Sequence, residues 1–309
     1  MASLWKFGGL TWKALGKRVW SEIETDEVFG RAAQLAYYFL LALFPLLLFL
    51  VSVIGLVMGS ETGLRQALFN YLGKVLPASA SQLVSTTVFE VTSNSGGGKI
   101  AFGILAALWA ASNGMGAVTE CLNVAYDVKE SRPWWKKRLT AVGLTIVLSV
   151  LILSALLLLL YGGRIADYIA GSYGLGEAFT IAWKVIQWPI ILAFLLLGFA
   201  LIYFFAPDVR DQKWTWVTPG AVLGVSLWLV ISFSFRLYLH FFDSYSKTYG
   251  ALGAVIVLML WLYLTGAAIL IGGELNSEIE HAAARAGTPG AKAAGEKSPN
   301  EKGKGSKAA

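Results

Sequence analysis

Two basic side chains stand inside long apolar stretches, where a charge is costly. Lys184 and Arg236 each lie within such a stretch, near its predicted outer end. A polar group within a bilayer is a candidate functional site by default. The two cations could bind an anionic headgroup or substrate in one shared cavity, or extend to water at the interface without a ligand. The other candidates for substrate binding are Gln187, Asn113, Tyr37, Tyr38, Tyr245 and Tyr249.

A second set of polar residues follows two apolar runs at their predicted cytoplasmic ends. The candidates for a polar gate there are Glu120, Asn123, Glu274 and Asn276. The alternative is that they are helix-end residues that pair with basic side chains of the neighbouring loop. The available basic partners are Lys129, Arg132 and Arg138.

Prolines and glycines indicate how the apolar segments are shaped and packed. Pro45 and Pro189 each interrupt an apolar run, and a proline inside a helix removes a backbone hydrogen bond and bends the helix. Both are predicted helix kinks, which can line transporter sites or serve packing alone. The glycines predicted to allow close helix packing are Gly220 with Gly224 and Gly114 with Gly116.

The residues that most enzymes use are scarce. One cysteine, Cys121, and two histidines, His240 and His281, exclude an internal disulfide framework and a histidine-rich metal centre. The sequence has no Gly-rich phosphate loop, no His-Glu-x-x-His motif and no Gly-x-Ser-x-Gly motif. We therefore expect no metal and no cofactor, and predict that the protein is not an enzyme, although its sparse carboxylates could relay protons.

The elements that must position these residues are six apolar runs. The 309-residue chain is 56% hydrophobic and 14% charged, whereas soluble proteins are about 45–50% apolar and about 25% charged. Each run is close to or beyond the roughly 20 residues that a helix needs to cross a bilayer. The sequence predicts an all-α polytopic membrane protein, a bundle of six transmembrane helices. The predicted spans are 33–58, 100–118, 139–161, 181–205, 216–239 and 251–273.

Basic residues predict the orientation of these spans. Most of the 25 Lys and Arg residues fall in the N-terminal segment, the loops after the second and fourth spans, and the C-terminal tail. The positive-inside rule then places both termini in the cytoplasm. The net charge of +6 is chiefly an orientation signal, so no nucleic-acid partner is expected.

The regions outside the spans differ in character. Residues 1–30 predict an amphipathic helix, which lies in the headgroup region or packs on the bundle as a cap. Residues 31–280 form the predicted membrane domain, and its outer loop, residues 60–99, holds two predicted short amphipathic helices and a Gly-rich link. Residues 281–309 are predicted to be a disordered Lys/Ala/Gly tail in the cytoplasm.

Several stretches resemble the YihY/BrkB family of bacterial inner-membrane proteins, and together they cover about residues 32–280. They are Ala36-Tyr37-Tyr38, Leu43-Phe44-Pro45, Asn123 with Tyr126, Pro207, Pro219-Gly220, Tyr245-Ser246-Lys247-Thr248-Tyr249-Gly250, Trp261 and Gly272-Gly273-Glu274-Leu275-Asn276. The resemblance implies a six-span protein of the bacterial inner membrane. Members have carried the labels ribonuclease BN and virulence or serum-resistance factor, and transfer of a lipid-like envelope component is a suggested role.

Three kinds of function fit these observations. The first is transport or flipping of an amphipathic anionic envelope component such as a lipid. The second is a non-transporting envelope scaffold, and the third is an intramembrane enzyme or ribonuclease, for which the sequence offers no metal or general-base cluster. Membrane lipids are the expected partners, and a homo-oligomer is left open.

Overall fold

The computed structural model describes residues 4–58, 97–174, 176–209, 217–241 and 244–288, and within these ranges every regular element is a helix. Six helices, α2 to α7, are long and apolar enough to cross a membrane. This confirms the predicted all-α, six-span architecture. After a short 3₁₀ segment, Leu4–Gly9, the helices are α1 (Trp12–Thr25), α2 (Val28–Met58), α3 (Gly97–Ala125), α4 (Trp134–Tyr173), α5 (Glu177–Phe205), α6 (Pro219–Phe241) and α7 (Ser244–Arg285).

Most of these helices continue past the apolar runs that predicted them. The 40 residues of α4 span about 60 Å at 1.5 Å per residue, twice the hydrocarbon thickness of roughly 30 Å. An apolar run marks only the part of a helix that meets hydrocarbon, so the polar ends were not anticipated. Gly97, predicted to be part of a flexible link, is instead the first residue of α3. The two short helices predicted for the outer loop lie outside the described residues.

The end of α7 corrects the predicted start of the tail. The helix runs to Arg285, and His281, Ala282 and Ala283 are all buried. Ala282 and Ala283 pack against the N-terminal 3₁₀ segment, since a Cβ placed on Gly8 would come within 2.6 Å of the Ala282 Cβ. The residues from 281 to 285 therefore belong to the folded bundle.

Helix α7 is central to the packing, because it contacts α1, α2, α3, α6 and the 3₁₀ segment. Helix α1 lies on it through Leu15, Val19 and Ile23, which are buried, whereas Trp12 is 71% exposed and lies off the buried face. The amphipathic helix predicted for residues 1–30 therefore covers one end of the bundle. We call this end, formed by α1, residues 126–133 and the part of α7 after Gly273, the polar end. It holds half of the buried polar side chains among the described residues: Glu274, Asn276, Ser277, Glu278 and His281.

Both prolines lie inside continuous helices, Pro45 in α2 and Pro189 in α5. Proline has no N–H, so each leaves the carbonyl four residues earlier without its helical partner. For Pro45 that carbonyl belongs to Leu41, and for Pro189 it belongs to Val185. The bending of these two helices stays a prediction.

A tight seam joins α6 to α7. A Cβ on Gly220 would overlap the Gly272 carbonyl oxygen, and a Cβ on Gly224 would come within 2.7 Å of the Tyr203 hydroxyl. That hydroxyl donates a hydrogen bond to the Ile269 carbonyl at 2.8 Å. The close packing predicted for Gly220 and Gly224 is therefore present.

Candidate functional site

A groove opens between α2, α3 and α4, on the part of the bundle nearest the polar end. It encloses about 450 Å³, within the roughly 300–1,000 Å³ of typical small-molecule sites. Helix α2 contributes Tyr38, Leu41 and Ala42 to its wall. We call it the Arg138 groove, after the cation on its α4 side.

Helical periodicity explains why these side chains share one wall. Residues spaced by three or four positions lie on the same face of a helix. The wall residues follow this spacing on both α3 and α4. From α3 they include Asn113, Gly116, Ala117 and Glu120, and from α4 they are Trp134, Lys137, Arg138 and Ala141.

Arg138 is the most highly coordinated charge in the groove. Its Nη1 donates to Asn113 Oδ1 at 2.8 Å, and its Nη2 donates to the Trp109 carbonyl. Its guanidinium carbon lies 3.9 Å from the centroid of the Trp109 ring, a cation–π geometry. Its Nε is buried and has no hydrogen-bond partner among the described residues. The side chain is therefore fixed against α3 while part of its donor set stays unused.

A second cation and exposed indole rings complete this wall. Lys137 Nζ lies 2.7 Å from Glu120 Oε1, so this predicted gate residue pairs with a basic side chain of α4. The basic partner of Glu120 is therefore Lys137, and not one of the three partners that the sequence offered, Lys129, Arg132 and Arg138. Trp134 is 71% exposed and its ring lies 6.2 Å from that of Trp109, which is half exposed. Tryptophan is enriched at membrane–water interfaces, so the groove has the composition of an interfacial site.

Asn123 belongs to a separate polar network, which we call the latch: Asn123, Glu130, Arg132 and Asp208. Asn123 donates to Glu130 Oε2 at 3.0 Å and accepts from the Asp208 backbone N–H at 2.8 Å. Arg132 Nε lies 2.7 Å from Glu130 Oε1, and its Nη2 donates to the Ala206 carbonyl at 2.8 Å. Burial acts to raise the pKa of Glu130, but the hydrogen bonds from Arg132 and Asn123 hold it below its ordinary value. The latch ties the end of α3 to the end of α5.

Asn276 closes the α6–α7 seam. Its Oδ1 accepts from the Gly220 backbone N–H at 2.8 Å, and its Nδ2 donates to Thr218 Oγ1 at 3.0 Å. The amide thus satisfies one of the free N–H groups at the start of α6. Glu274, on the same helix, is buried at the polar end beside Asp26, the residue that follows α1. The structure therefore places the four predicted gate residues in different settings.

Four other predicted binding residues do not line the groove: Lys184, Arg236, Gln187 and Tyr37. Lys184 and Arg236 are both exposed, and neither lines it. Gln187 faces α4, where its side chain packs against Gly162, and its Oε1 is buried without a hydrogen-bond partner in the described part of the chain. Tyr37 is 54% exposed beside Tyr38. The side chains of Tyr245 and Tyr249 lie outside the described residues, and a substrate role for all of these residues stays a prediction.

Lys137, Arg138 and Trp134 were not predicted as wall residues. The basic run after the second span indicated the orientation of the chain and supplied Lys129, Arg132 and Arg138 as possible partners of the gate residues. The available signal was the spacing of three and four positions, which places Asn113, Gly116 and Glu120 on one face of α3 and Trp134, Lys137, Arg138 and Ala141 on one face of α4. That spacing shows which residues share a helix face, but which neighbour the face meets depends on the packed structure.

The comparisons with known proteins agree on one family. The model of the family described as Virulence factor BrkB matches residues 19–297. The ribonuclease-like protein YfkH of Bacillus subtilis (strain 168) is 39% identical over 261 residues, which cover 84% of this chain and 93% of that protein. A UPF0761 membrane protein of Idiomarina loihiensis is 31% identical over 220 residues, which cover 71% of this chain and 73% of the relative. No solved structure is significantly similar to the chain.

A more distant relative supports the same assignment over a longer stretch. A UPF0761 membrane protein of Aeromonas salmonicida (strain A449) is 26% identical over 286 residues, which cover 88% of this chain and 94% of the relative. The region matched by the family model, residues 19–297, includes all six candidate membrane spans. The sequence resemblance is thereby confirmed, and the chain belongs to the Virulence factor BrkB family of multi-pass membrane proteins.

Proposed function

We propose that the protein binds an anionic amphipathic lipid in the Arg138 groove and moves it across the membrane. One observation carries this proposal: a guanidinium fixed at an open groove between membrane helices, beside exposed tryptophan rings. A soluble anion would need only the cation. The combination of a cation, interfacial rings and an apolar wall fits a molecule with a charged head and an apolar chain.

The headgroup end of the groove is suited to a phosphate. A guanidinium has five N–H donors, and Arg138 gives one to Asn113 and one to the Trp109 carbonyl. Since Nε is buried, the second N–H groups of Nη1 and Nη2 are the donors that can bind two oxygens of one phosphate, the geometry that favours arginine over lysine. Lys137 lies one residue away and shares its charge with Glu120. A bound phosphate would compete with Glu120 for this ammonium.

The other walls of the groove suit an acyl chain. Leu41, Ala42, Ala110 and Ala141 supply apolar surface without filling the space. Gly116 keeps that space open, since a Cβ added there would meet nothing within 4 Å. The carbonyl freed by Pro45 belongs to Leu41 in the same wall, which adds an acceptor for a headgroup hydroxyl.

Movement of a lipid requires a second position for its headgroup. We propose that Lys184 and Arg236, both exposed, receive it at the opposite end of the bundle. In this proposal both termini lie on the cytoplasmic side of a bacterial inner membrane, and the lipid enters the groove from the inner leaflet. The asymmetry of basic residues in the short loops supports this orientation.

The other functions receive less support from the site. The name of YfkH describes a ribonuclease-like protein. Among the residues described in this chain, no group of three or more His, Cys, Asp or Glu could hold a metal ion. A scaffold would require no open groove with a fixed cation. Lipid binding accounts for both features.

Reconstitution in liposomes tests the proposal. The vesicles contain fluorescent phosphatidylglycerol, and a membrane-impermeant quencher reports the fraction that reaches the outer leaflet. The key variant is Gly116→Leu, whose side chain fills the groove without an overlap at its Cβ. Gly143→Leu is the matched control, because a Cβ there also meets nothing within 4 Å and the position does not line the groove. Arg138→Gln removes the cation separately.

The expected result is lipid movement by the wild type and by Gly143→Leu, with at least a tenfold loss in Gly116→Leu and Arg138→Gln. The double variant Lys184→Gln/Arg236→Gln is expected to bind phosphatidylglycerol in detergent and to fail in movement. Wild-type movement that both groove variants retain would overturn the groove assignment. If neither the wild type nor any variant moves the lipid, and no lipid is bound, the result would overturn the proposal and favour the scaffold function.

A further inference from the structure

Glu274 of α7 is buried among other acidic side chains. It is 1% exposed, and its Oε1 has no hydrogen-bond partner among the described residues. The charged groups that act on it most strongly are Asp26, directly after α1, Glu22 of α1 and Asp127 after α3, all acidic. Asp127 in turn lies 3.9 Å from His281 Nδ1. A carboxylate buried without a cation or donor is very costly, so its environment favours the neutral form.

The contact with Asp26 adds a geometric reason for a proton. The carboxyl groups of Asp26 and Glu274 lie within hydrogen-bonding reach of each other. Two carboxylates have only acceptors, so such a bond exists only when one of them is protonated. Burial, and then the charge of Asp127, raise the pKa of Asp26, while Arg31 acts in the opposite direction. The Arg31 Nε donates to the Asp26 backbone carbonyl at 2.8 Å.

Glu278, one turn later on α7, provides an internal comparison. It is equally buried, at 3% exposed, but its neighbours are basic. Arg18 Nη1 lies 4.0 Å away, and His281 Nδ1 and Arg285 Nη2 each lie 3.5 Å away. These groups stabilise a negative charge on Glu278. The same side chain on the same helix therefore has compensation at one position and lacks it at Glu274.

We infer that Glu274 and Asp26 form a proton-binding site between α7 and α1, occupied at neutral pH, and that loss of its proton loosens α1 from the bundle. The proton passes to water and leaves two facing carboxylates beside Glu22 and Asp127. Their repulsion is relieved when α1 moves away from α7 and water enters. This site lies outside the Arg138 groove and does not depend on lipid transport.

Infrared spectroscopy of the full-length protein in lipid tests the proton directly. A protonated carboxyl buried away from water gives a carbonyl stretch that carboxylates and amides lack. We expect this band at neutral pH in the wild type, its loss at alkaline pH, and its absence in Glu274→Gln. Glu278→Gln is the matched control and should leave the band unchanged. A band that persists in Glu274→Gln would overturn the assignment, as would a wild type without a band.

A distance measurement tests the movement of α1. Spin labels at Lys17→Cys on α1 and Lys136→Cys on α4, both exposed positions, are introduced in a Cys121→Ser background. The wild-type distance distribution should broaden reversibly between neutral and alkaline pH. Glu274→Gln and Asp26→Asn should remove this change, because neither can form the second carboxylate. A wild-type distribution that is unchanged after the band is lost would overturn the coupling to α1.

Discussion

The α6–α7 seam and the Arg138 groove both contain glycines in a membrane helix, yet one contact is closed and the other is open. A Cβ on Gly220 would overlap the backbone of Gly272, whereas a Cβ on Gly116 would meet nothing within 4 Å. Gly114, two residues before Gly116, does pack closely, since its Cβ would lie 3.1 Å from that of Ala42. The comparison shows that a glycine leaves the volume of a side chain unoccupied. The position of the neighbouring helix determines whether backbone atoms fill that volume or it stays open.

The polar groups of the two regions differ in the same way. In the seam, Asn276 and Tyr203 bond to backbone groups of neighbouring helices. In the groove, Arg138 makes two hydrogen bonds and keeps donors unused. Complete pairing is what stability requires of buried polar groups. Spare donors beside an open volume are what a ligand requires, so the difference separates a structural contact from a candidate site.

The largest effect is expected in the seam, from Gly220→Ala. The added methyl overlaps the Gly272 carbonyl and the Asn276 side chain, and backbone cannot move aside as a flexible side chain does. Overpacking of a core costs typically about 1–3 kcal/mol, and we expect a loss of about 3 kcal/mol in the free energy of unfolding. Denaturant titration in detergent measures it. A loss below about 1 kcal/mol would show that the seam is looser than described.

Asn276→Ala should have the next largest effect. It leaves the Gly220 N–H without its acceptor and removes one of two donors to the Thr218 hydroxyl, which keeps the Ala221 N–H. An unsatisfied buried donor costs about 1–3 kcal/mol, so we expect a destabilisation of about 2 kcal/mol without a change in lipid binding. Asn113→Ala, which removes an exposed amide from the groove, serves as the control. Equal losses from the two variants would remove the distinction between seam and groove.

The sequence was sufficient to predict the six spans and the packing of Gly220, because both depend on local composition. The apolar length of a span is a property of one segment, and small residues spaced by four positions form a ridge on one helix. The groove and the carboxyl pair depend on contacts between distant segments. Asp26 and Glu274 meet only because α1 folds onto α7, and Arg138 reaches Asn113 only in the observed packing of α3 and α4.

The latch offers a pH-dependent test at the polar end. The pKa of Glu130 is held below its ordinary value in the folded protein, so its ionisation stabilises the fold above its unfolded pKa. That contribution is lost as the pH falls through the lowered folded value. Glu130→Gln should cost about 1 kcal/mol at neutral pH, in the range of hydrogen bonds to charged groups on a partly exposed residue. Unfolding measured against pH should show the two proteins converging in acid. Curves that stay parallel would mean that Glu130 is not the titrating group.

The smallest effect on stability is expected from Gly116→Ala, and it completes the comparison with Gly220→Ala. The methyl group enters open space, and alanine is favoured over glycine in a helix by about 1 kcal/mol. The free energy of unfolding should therefore stay unchanged or rise by up to about 1 kcal/mol. Larger side chains at this position should leave stability nearly constant while lipid binding falls with their volume, because they occupy the space that the acyl chain needs. A substantial destabilisation by Gly116→Ala would instead mean that α4 closes over Gly116 in the membrane, and the groove would then be a packed contact like the seam.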